Sequence, residues 1–175
     1  MMTASVLEGG HVHQINVKPQ TPGERGLPKK PVDSVFVAKA GLAGDFNLYR
    51  QEELKGDPDS AVLLLPLETI LQLNAEGWPV KAGDLGENFT TSGIPYDRFS
   101  PGRAFRIGEA IVEVSRACNP CKNLYLLPYT GPSKGPDFVR IMLGRRGWYA
   151  SVRRGGMVRR GDSIEEASSV WTYGR

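Results

Sequence analysis

The residues best suited to chemistry are two cysteines in the stretch "SRACNPCKNL", residues 115–124. Cys118 and Cys121 are the only cysteines among 175 residues, and two positions separate them. This spacing is compatible with a redox pair, with half of a zinc site or with one functional thiolate. A buried apolar cysteine is the ordinary alternative for either residue.

The surroundings of the pair favour neither the redox pair nor the zinc site. A redox C-x-x-C usually opens a helix, but "AIVEVSRA" before the pair alternates like a strand and "KNLYLLPY" after it lacks helical spacing. His11 and His13 in "HVH" share one strand face and would complete a Cys2His2 set. That spacing fits no familiar zinc finger, so we expect both histidines to be partly exposed strand residues.

The remaining functional interpretation assigns the chemistry to Cys121 alone. Cys121 follows Pro120, which stiffens the backbone, and the cationic Arg116 and Lys122 are near in sequence. Cationic neighbours favour a thiolate, which would bind a soft metal, carry sulfur as a persulfide or attack an electrophile. Local spacing does not separate these three chemistries. Cys118 is expected to be the buried, apolar member of the pair.

A second informative stretch is "VKAGDLGENFTTSGI", residues 80–94. Its three glycines, Gly83, Gly86 and Gly93, permit sharp turns and close approach to a ligand. Polar side chains crowd the same segment, and they are Asp84, Glu87, Asn88, Thr90, Thr91 and Ser92. A loop of this kind can bind a polar ligand with several oxygens through its N–H groups and hydroxyls, and the alternative is an ordinary Gly-Asx turn between strands. It is neither a Walker A motif nor a dinucleotide-binding loop.

Composition places the chain among globular proteins. Hydrophobic residues are 40% and charged residues 23%, which is typical of globular proteins. The length of 175 residues fits one domain, and we expect a single domain over 1–175 with its core at about 11–166. The net charge of +3 is partly concentrated in six arginines: Arg145, Arg146, Arg153, Arg154, Arg159 and Arg160. Such a strip would attract an anion, but a solvated face is the favoured interpretation. The arginines are not interleaved with stacking aromatics, so a nucleic-acid partner is not expected.

We expect neither a secretory signal nor a membrane-spanning segment. The first residues, "MMTASVLEGG", carry no basic start and no apolar run, and "AVLLLPL" is too short to cross a bilayer. We therefore expect a cytoplasmic protein with no membrane partner, in which both thiols are mostly reduced.

Short strands with Gly and Pro between them dominate the pattern. The predicted strands are "HVHQINV", "SVFVAKA", "AVLLLP", "AFRIG", "AIVEVSRA" and "WYASVRRGG", which favour a sandwich or barrel. Gly108-Glu109 should turn one hairpin, and Gly155-Gly156 offers a second turn. Two short helices are expected outside the β core, in "PLETILQLNAEG" and "GPDFVRIMLGRRG". The first should bury a face with Leu67, Ile70, Leu71 and Asn74, and the second a face with Phe138, Ile141 and Met142.

These pieces together resemble the MOSC domain family, named for the carboxy-terminal module of molybdenum-cofactor sulfurases. The resemblance rests on five blocks in the family's order. They are "GLPKKPVDSVFVAKAGLAGD" (26–45), "GDPDSAVLLLPLETI" (56–70), "GDLGENFTTSGI" (83–94), "FRIGEAIVEVSRACNPCKNL" (105–124) and "GRRGWYASVRRGGMVRRGDSI" (144–164). Two positions depart from many bacterial members: Lys55 replaces a histidine, and Ser60 replaces a basic residue.

The resemblance implies a mainly β fold, a MOSC-type barrel of short strands with a few peripheral short helices. It also implies that the cysteine after proline, Cys121, is both the metal ligand and the catalytic residue. The residues that it implies for cofactor binding are Lys29, Asp45, Gly86, Glu87, Asn88, Thr90, Thr91 and Arg116. A sulfurase would need a large pyridoxal-phosphate domain, for which this chain has no room, so a free-standing MOSC protein is expected.

Two functions follow from that resemblance. The first is a reductase of N-hydroxylated or N-oxygenated small molecules that holds molybdenum cofactor (molybdopterin) through Cys121 and receives electrons from a separate donor protein. The second is a sulfur carrier, in which a cysteine desulfurase loads Cys121 with a persulfide for metal–sulfur cofactor assembly. No ligation motif for flavin, haem or iron–sulfur clusters accompanies either function, and intrinsic pyridoxal phosphate is not expected.

Overall fold

A computed structural model describes residues 9–24, 26–46 and 55–167 of the chain. Within these residues the chain forms eleven strands and two α-helices. The strands are β1 (Gly10–Val17), β2 (Lys30–Val32), β3 (Ser34–Ala38), β4 (Gly41–Leu42), β5 (Val62–Pro66), β6 (Phe89–Ser92), β7 (Ala104–Ile107), β8 (Ala110–Ala117), β9 (Trp148–Arg154), β10 (Gly156–Arg159) and β11 (Ser163–Glu166). The helices are α1 (Leu67–Ala75) and α2 (Gly131–Ile141), and 3₁₀ helices cover Pro58–Ser60, Tyr96–Arg98 and Lys122–Leu126.

Seven of the strands close into a barrel. They follow the order β11–β7–β8–β9–β5–β6–β1, and β1 pairs back with β11. All neighbours are antiparallel except β5 and β6, which run parallel because α1 carries the chain across between them. Closure leaves no unpaired edge in the ring, while β2 adds to the outer side of β1. The predicted barrel of short strands with few peripheral helices is confirmed.

The two predicted turns have different outcomes. Gly108 and Glu109 connect β7 to β8 in a hairpin, with Ile107 opposite Ala110. The turn predicted at Gly155-Gly156 is wrong, because β9 and β10 do not pair with each other. Instead the chain leaves the barrel at this point, and β10 pairs with β3 in a small three-stranded sheet completed by β4. A Cβ at Gly155 would lie 2.6 Å from the carbonyl oxygen of Val37, so this pair allows close backbone approach.

Alternation along β5 divides the hydrophobic core into two layers. Leu64 belongs to the barrel interior with Ile15, Phe89 and Phe105. Leu65 belongs to a second cluster on the outer surface of the barrel, under the helices. The buried members of that outer cluster are Leu65, Ile70, Leu73, Val80, Leu85, Leu124, Leu127, Phe138 and Met142. The continuous apolar run of β5 is therefore buried on both faces.

Both predicted helices cover this outer cluster, with altered bounds. Helix α1 begins after Pro66 and buries Ile70 and Leu73, whereas the predicted face included Leu71 and Asn74, which are exposed. Helix α2 begins four residues earlier than predicted, and its Phe138 is fully buried as expected. Neither helix of the described chain has the length and apolar character needed to span a bilayer.

Two glycines near the start of β9 give a matched test of backbone packing. Both Gly144 and Gly147 have positive φ, +75° and +99°. A Cβ at Gly144 would meet nothing within 4 Å, whereas one at Gly147 would clash with the carbonyl oxygen of Leu64. We expect Gly144→Ala to lower the free energy of unfolding by about 1 kcal/mol, and Gly147→Ala by at least about 3 kcal/mol. Urea unfolding measures both, and equal losses would contradict the packing of β9 on β5.

Candidate functional site

One row of side chains crosses the outer surface of five neighbouring barrel strands. The strand register places Arg116 on β8 next to Tyr149 on β9, and Tyr149 next to Leu63 on β5. Backbone hydrogen bonds continue the row from Leu63 to Asn88, just before β6, and from Asn88 to Asn16 on β1. Most predicted site residues lie along this row or in the segments that cover it.

Asn88 joins three parts of the chain at the centre of the row. Its backbone N–H donates to the carbonyl of Leu63 (2.9 Å), and its side-chain Oδ1 accepts from the N–H of Leu63 (3.0 Å). Its carbonyl accepts from the N–H of Asn16 (2.8 Å), and its Nδ2 donates to Oδ2 of Asp45 (2.9 Å). Asn88 is buried, so these bonds fix β5, β1 and the turn at Asp45 relative to one another.

Lys29 and Asp45 form a buried ion pair beside Asn88. Lys29 Nζ lies 2.6 Å from Asp45 Oδ2, and the two side chains are 2% and 8% exposed. Asp45 Oδ1 also accepts from the backbone N–H of Lys18 at 2.9 Å. Burial lowers the pKa of Lys29, and the neighbouring Asp45 opposes that shift. The carboxylate of Asp45 thus has three donors and holds the ammonium of Lys29 inside the protein.

The glycine-rich segment turns Glu87 inward. Gly83 and Gly86 have φ of +92° and +80°, which confirms the sharp turns expected of them. The N–H of Gly83 donates to Oε1 of Glu87 (2.6 Å), so a donor that was predicted for a ligand is used within the loop. Glu87 is fully buried, and its Oε2 has no hydrogen-bond partner. Burial raises the pKa of Glu87 to about 8, against the opposing charge of Arg146.

Arg146 is the residue of this site that sequence reasoning missed. It is 5% exposed, and its Nε and Nη1 atoms have no hydrogen-bond partner. Its neighbour Arg145 is partly exposed and pairs with Glu76 (2.5 Å). The six arginines of the predicted strip therefore do not form one face. Two adjacent arginines carry no local signal that tells which of them is buried.

The two threonines of β6 differ in their contacts. Thr90 Oγ1 accepts from Nδ2 of Asn16 at 3.1 Å, so it supports the row from outside the barrel. The hydroxyl of Thr91 is buried without a hydrogen-bond partner. Both residues, like Gly86, are buried. Whether any of the three contacts a cofactor stays a prediction.

The two cysteines differ in burial. Cys118 is 5% exposed and packs with Leu63 and Tyr149, and its N–H donates to the carbonyl of Gly147 (2.9 Å). Cys121 is partly exposed and stands immediately before the 3₁₀ helix Lys122–Leu126. His11 and His13 are exposed on β1. Among the described residues no group of three or more His, Cys, Asp or Glu side chains is placed to hold a metal ion.

Arg116 lies at the other end of the row from Lys29. Its guanidinium carbon is 5.2 Å from the centre of the Tyr149 ring, and its Nη1 is 3.1 Å from Asp57 Oδ2. It also donates to Oγ of Ser60, one of the two positions that depart from many family members. The Asp59 N–H and then Arg116 lower the pKa of Asp57. The Arg116 side chain remains 41% exposed.

A separate cleft opens between α1 and α2. Its volume is about 570 Å³, and none of the predicted site residues lines it. The lining residues are Glu76, Gly77, Trp78, Pro79, Tyr129, Lys134 and Asp137. Tyr129 donates to Oδ2 of Asp84 (3.0 Å), and burial together with Asp84 raises the pKa of the phenol.

One protein-family model and two curated proteins match the sequence of this chain. A family model described as MOSC domain matches residues 51–165. Protein YiiM of Escherichia coli (strain K12) is 31% identical over 152 residues, which is 82% of this chain and 64% of YiiM. YflK of Bacillus subtilis (strain 168) is 32% identical over 110 residues, which is 58% of this chain and 46% of YflK. The chain therefore spans less than two thirds of the length of either curated relative.

The fold has counterparts among solved structures. The crystal structure of YiiM from Geobacillus stearothermophilus matches with a TM-score of 0.68 and 27% sequence identity. That match covers 91% of this chain and 75% of the other chain.

The buried acid predicts a specific pH dependence of stability. The unfolded carboxyl of Glu87 has the ordinary pKa of 4.5, and the folded one about 8. Between these values the folded state holds a proton that the unfolded state has lost, so stability falls as pH rises. Glu87→Gln cannot ionise. The free energy of unfolding of Glu87→Gln, measured relative to that of the wild type, should therefore increase by up to about 1.4 kcal/mol for each pH unit in this window.

Urea unfolding at one-unit steps across this window and above it measures that gain. The exposed Glu165→Gln controls for the loss of one negative charge. A difference between Glu87→Gln and the wild type that stays constant with pH would show that Glu87 is not a buried neutral acid.

The ion pair between Lys29 and Asp45 predicts a large loss of stability when the Lys29 side chain is truncated. Lys29→Met leaves the buried carboxylate of Asp45 without its cation, which should lower the free energy of unfolding by about 3–5 kcal/mol. Arg140→Met breaks the exposed pair with Asp137 and should cost less than about 1 kcal/mol. Denaturant unfolding of both variants checks the contrast. A loss below about 1 kcal/mol for Lys29→Met would mean that the pair is solvated.

Proposed function

Because the chain belongs to the MOSC family, we propose that it binds molybdenum cofactor and reduces N-hydroxylated or N-oxygenated small molecules. The family is associated with binding of this cofactor, which is compatible with such a role. Cys121 is the proposed protein ligand of the metal, and a separate donor protein is the proposed source of electrons.

The observation that carries the proposal is the different burial of the two thiols. A metal ligand or nucleophile must be reachable, and Cys121 is the partly exposed cysteine whereas Cys118 is packed against Leu63 and Tyr149. Cys121 also lies four residues beyond the end of β8, the strand that carries Arg116. A thiolate at Cys121 therefore lies just beyond the strand that contributes Arg116 to the row of side chains on the outer surface of the barrel.

The residues present fit the cofactor in two respects. A cysteine thiolate is the soft donor that molybdenum in a dithiolene would accept. The cofactor's phosphate-bearing tail is anionic, and this part of the protein carries the exposed guanidinium of Arg116 and the buried, incompletely paired guanidinium of Arg146. When bound, the cofactor would supply the metal centre at which an oxygen atom is removed from nitrogen.

The other predicted cofactor residues have a clear structural contribution in addition. Lys29, Asp45, Asn88 and Thr90 bond to one another or to Asn16, and Glu87 bonds to Gly83. They would hold the glycine-rich loop in place while Cys121 and Arg116 face the ligand. Contacts of this first group with the cofactor remain proposals, as do those of Gly86 and Thr91.

The chain's own part in the reaction would be to place the reactants. Cys121 would hold the metal, and Arg116 would orient the anionic part of the cofactor through charge-assisted hydrogen bonds.

Molybdenum content tests the proposal. The wild type, Cys121→Ser and Cys118→Ser should be purified from a host that synthesises the cofactor. We expect about one molybdenum per chain in the wild type and in Cys118→Ser, and loss of at least ~90% in Cys121→Ser, because serine lacks the soft thiolate ligand. Reduction of an N-hydroxylated test compound with a chemical reductant should follow the metal content.

The sulfur-carrier function gives a different result in the same preparations. The wild type could instead be free of molybdenum and gain one sulfur atom, seen by intact mass, after incubation with a cysteine desulfurase. That result would contradict the reductase function and support the sulfur-carrier function. Retention of metal in Cys121→Ser together with its loss in Cys118→Ser would contradict the assignment of the two cysteines.

A further inference from the structure

Arg146 carries a charge that the described protein does not neutralise. A guanidinium remains protonated at every relevant pH, and this one is 5% exposed. Nε and Nη1 are buried without hydrogen-bond partners. Native proteins seldom leave buried donors unpaired, and least of all donors on a charged group, so these two nitrogens indicate a missing acceptor.

The neighbouring acid does not supply that acceptor. Oε1 of Glu87 is occupied by the N–H of Gly83, and neither Oε2 nor the two Arg146 nitrogens finds a partner, so no bond joins them. Burial raises the pKa of Glu87 to about 8, which favours the neutral acid at neutral pH, and its Oε2 has no hydrogen-bond partner within the protein. Lys29, the other nearby cation, is already paired with Asp45. The cluster is therefore left with one positive charge.

The chain leaves room beside the guanidinium. Gly86 has no side chain, and a Cβ there would be 3.9 Å from Nη2 of Arg146 and 3.7 Å from Leu27 Cδ2. These are ordinary van der Waals distances, so a methyl-sized space adjoins Nη2, at one end of the guanidinium. Leu27, on its other side, is only partly buried.

Two guanidinium nitrogens and one acid oxygen, none of which has a hydrogen-bond partner, are donors that suit an oxyanion. We propose that Arg146 and Glu87 form a buried binding site for a phosphate group. A multi-oxygen anion accepts from donors that point in different directions, and arginine is well suited to phosphate. The phosphate is either that of the cofactor, an assignment that rests on the proposed function, or that of a separate phosphate compound.

Inorganic phosphate added to cofactor-free protein tests the site without reference to activity. The full chain, made in a host that lacks the cofactor, should bind phosphate by calorimetry and melt at a higher temperature when phosphate is added. Arg146→Met should weaken phosphate affinity at least ~10-fold, since it removes charged donors. Arg145→Met removes the same charge one residue away and should leave the affinity unchanged.

The melting temperature without phosphate separates binding from a structural role. Removing an uncompensated buried charge should raise the melting temperature of Arg146→Met above that of the wild type. A lower melting temperature would make Arg146 the structural partner of an ionised Glu87 and overturn the proposal. Arg146→Lys keeps the charge and the fold but loses the planar donors, and it should also weaken phosphate binding.

Other outcomes also overturn the site. The first is that the wild type binds no phosphate up to about 10 mM. The second is that Arg145→Met and Arg146→Met have equal effects on phosphate binding. Either result would leave a bridging water as the occupant. Cofactor-loaded wild type identifies the source: loss of phosphate binding assigns the site to the cofactor's phosphate, and unchanged binding assigns it to a separate compound. Phosphate binding by a protein that never takes up molybdenum would sustain this site while refuting the proposed function.

Discussion

The outer surface of the barrel depends on the hydrogen bonds of one buried residue, Asn88. Its backbone and side chain together connect β5, β1 and the turn that carries Asp45. Because Asp45 in turn holds Lys29, a loop, a strand edge and a buried cation are fixed by the same amide. Replacement by an apolar residue would leave several buried groups unpaired, which is costly in a region that water does not reach.

This fixed framework determines where charge remains. Lys29 and Asp45 cancel each other, while Glu87 is turned inward after the two glycine turns that precede it, and burial favours its neutral form. Arg146 is left as an uncancelled positive charge on the same side of the barrel. An anion is the natural complement of such a surface, and a phosphate-bearing cofactor is one such anion.

The sequence predicts the elements whose signals are local. Alternation in "AIVEVSRA" and the Gly108-Glu109 turn correctly predict β8 and its hairpin with β7, and Pro120 together with the charges nearby correctly singles out Cys121 as the more accessible thiol. Long-range partners are not encoded locally. Strand β10 pairs with β3, about 120 residues earlier, and Arg146 rather than Arg145 is buried because of tertiary packing. The face of α1 was likewise wrong at Leu71, since only the helix's position on β5 decides which side is covered.

The central claim is that Cys121 is the reachable thiol of this surface and Cys118 is not. Alkylation of the native protein with iodoacetamide, followed by peptide mass spectrometry, measures this directly. We expect Cys121 to react at least ~10-fold faster than Cys118, and Cys118 to react readily only after unfolding. Equal rates in the native protein, or faster reaction at Cys118, would contradict it.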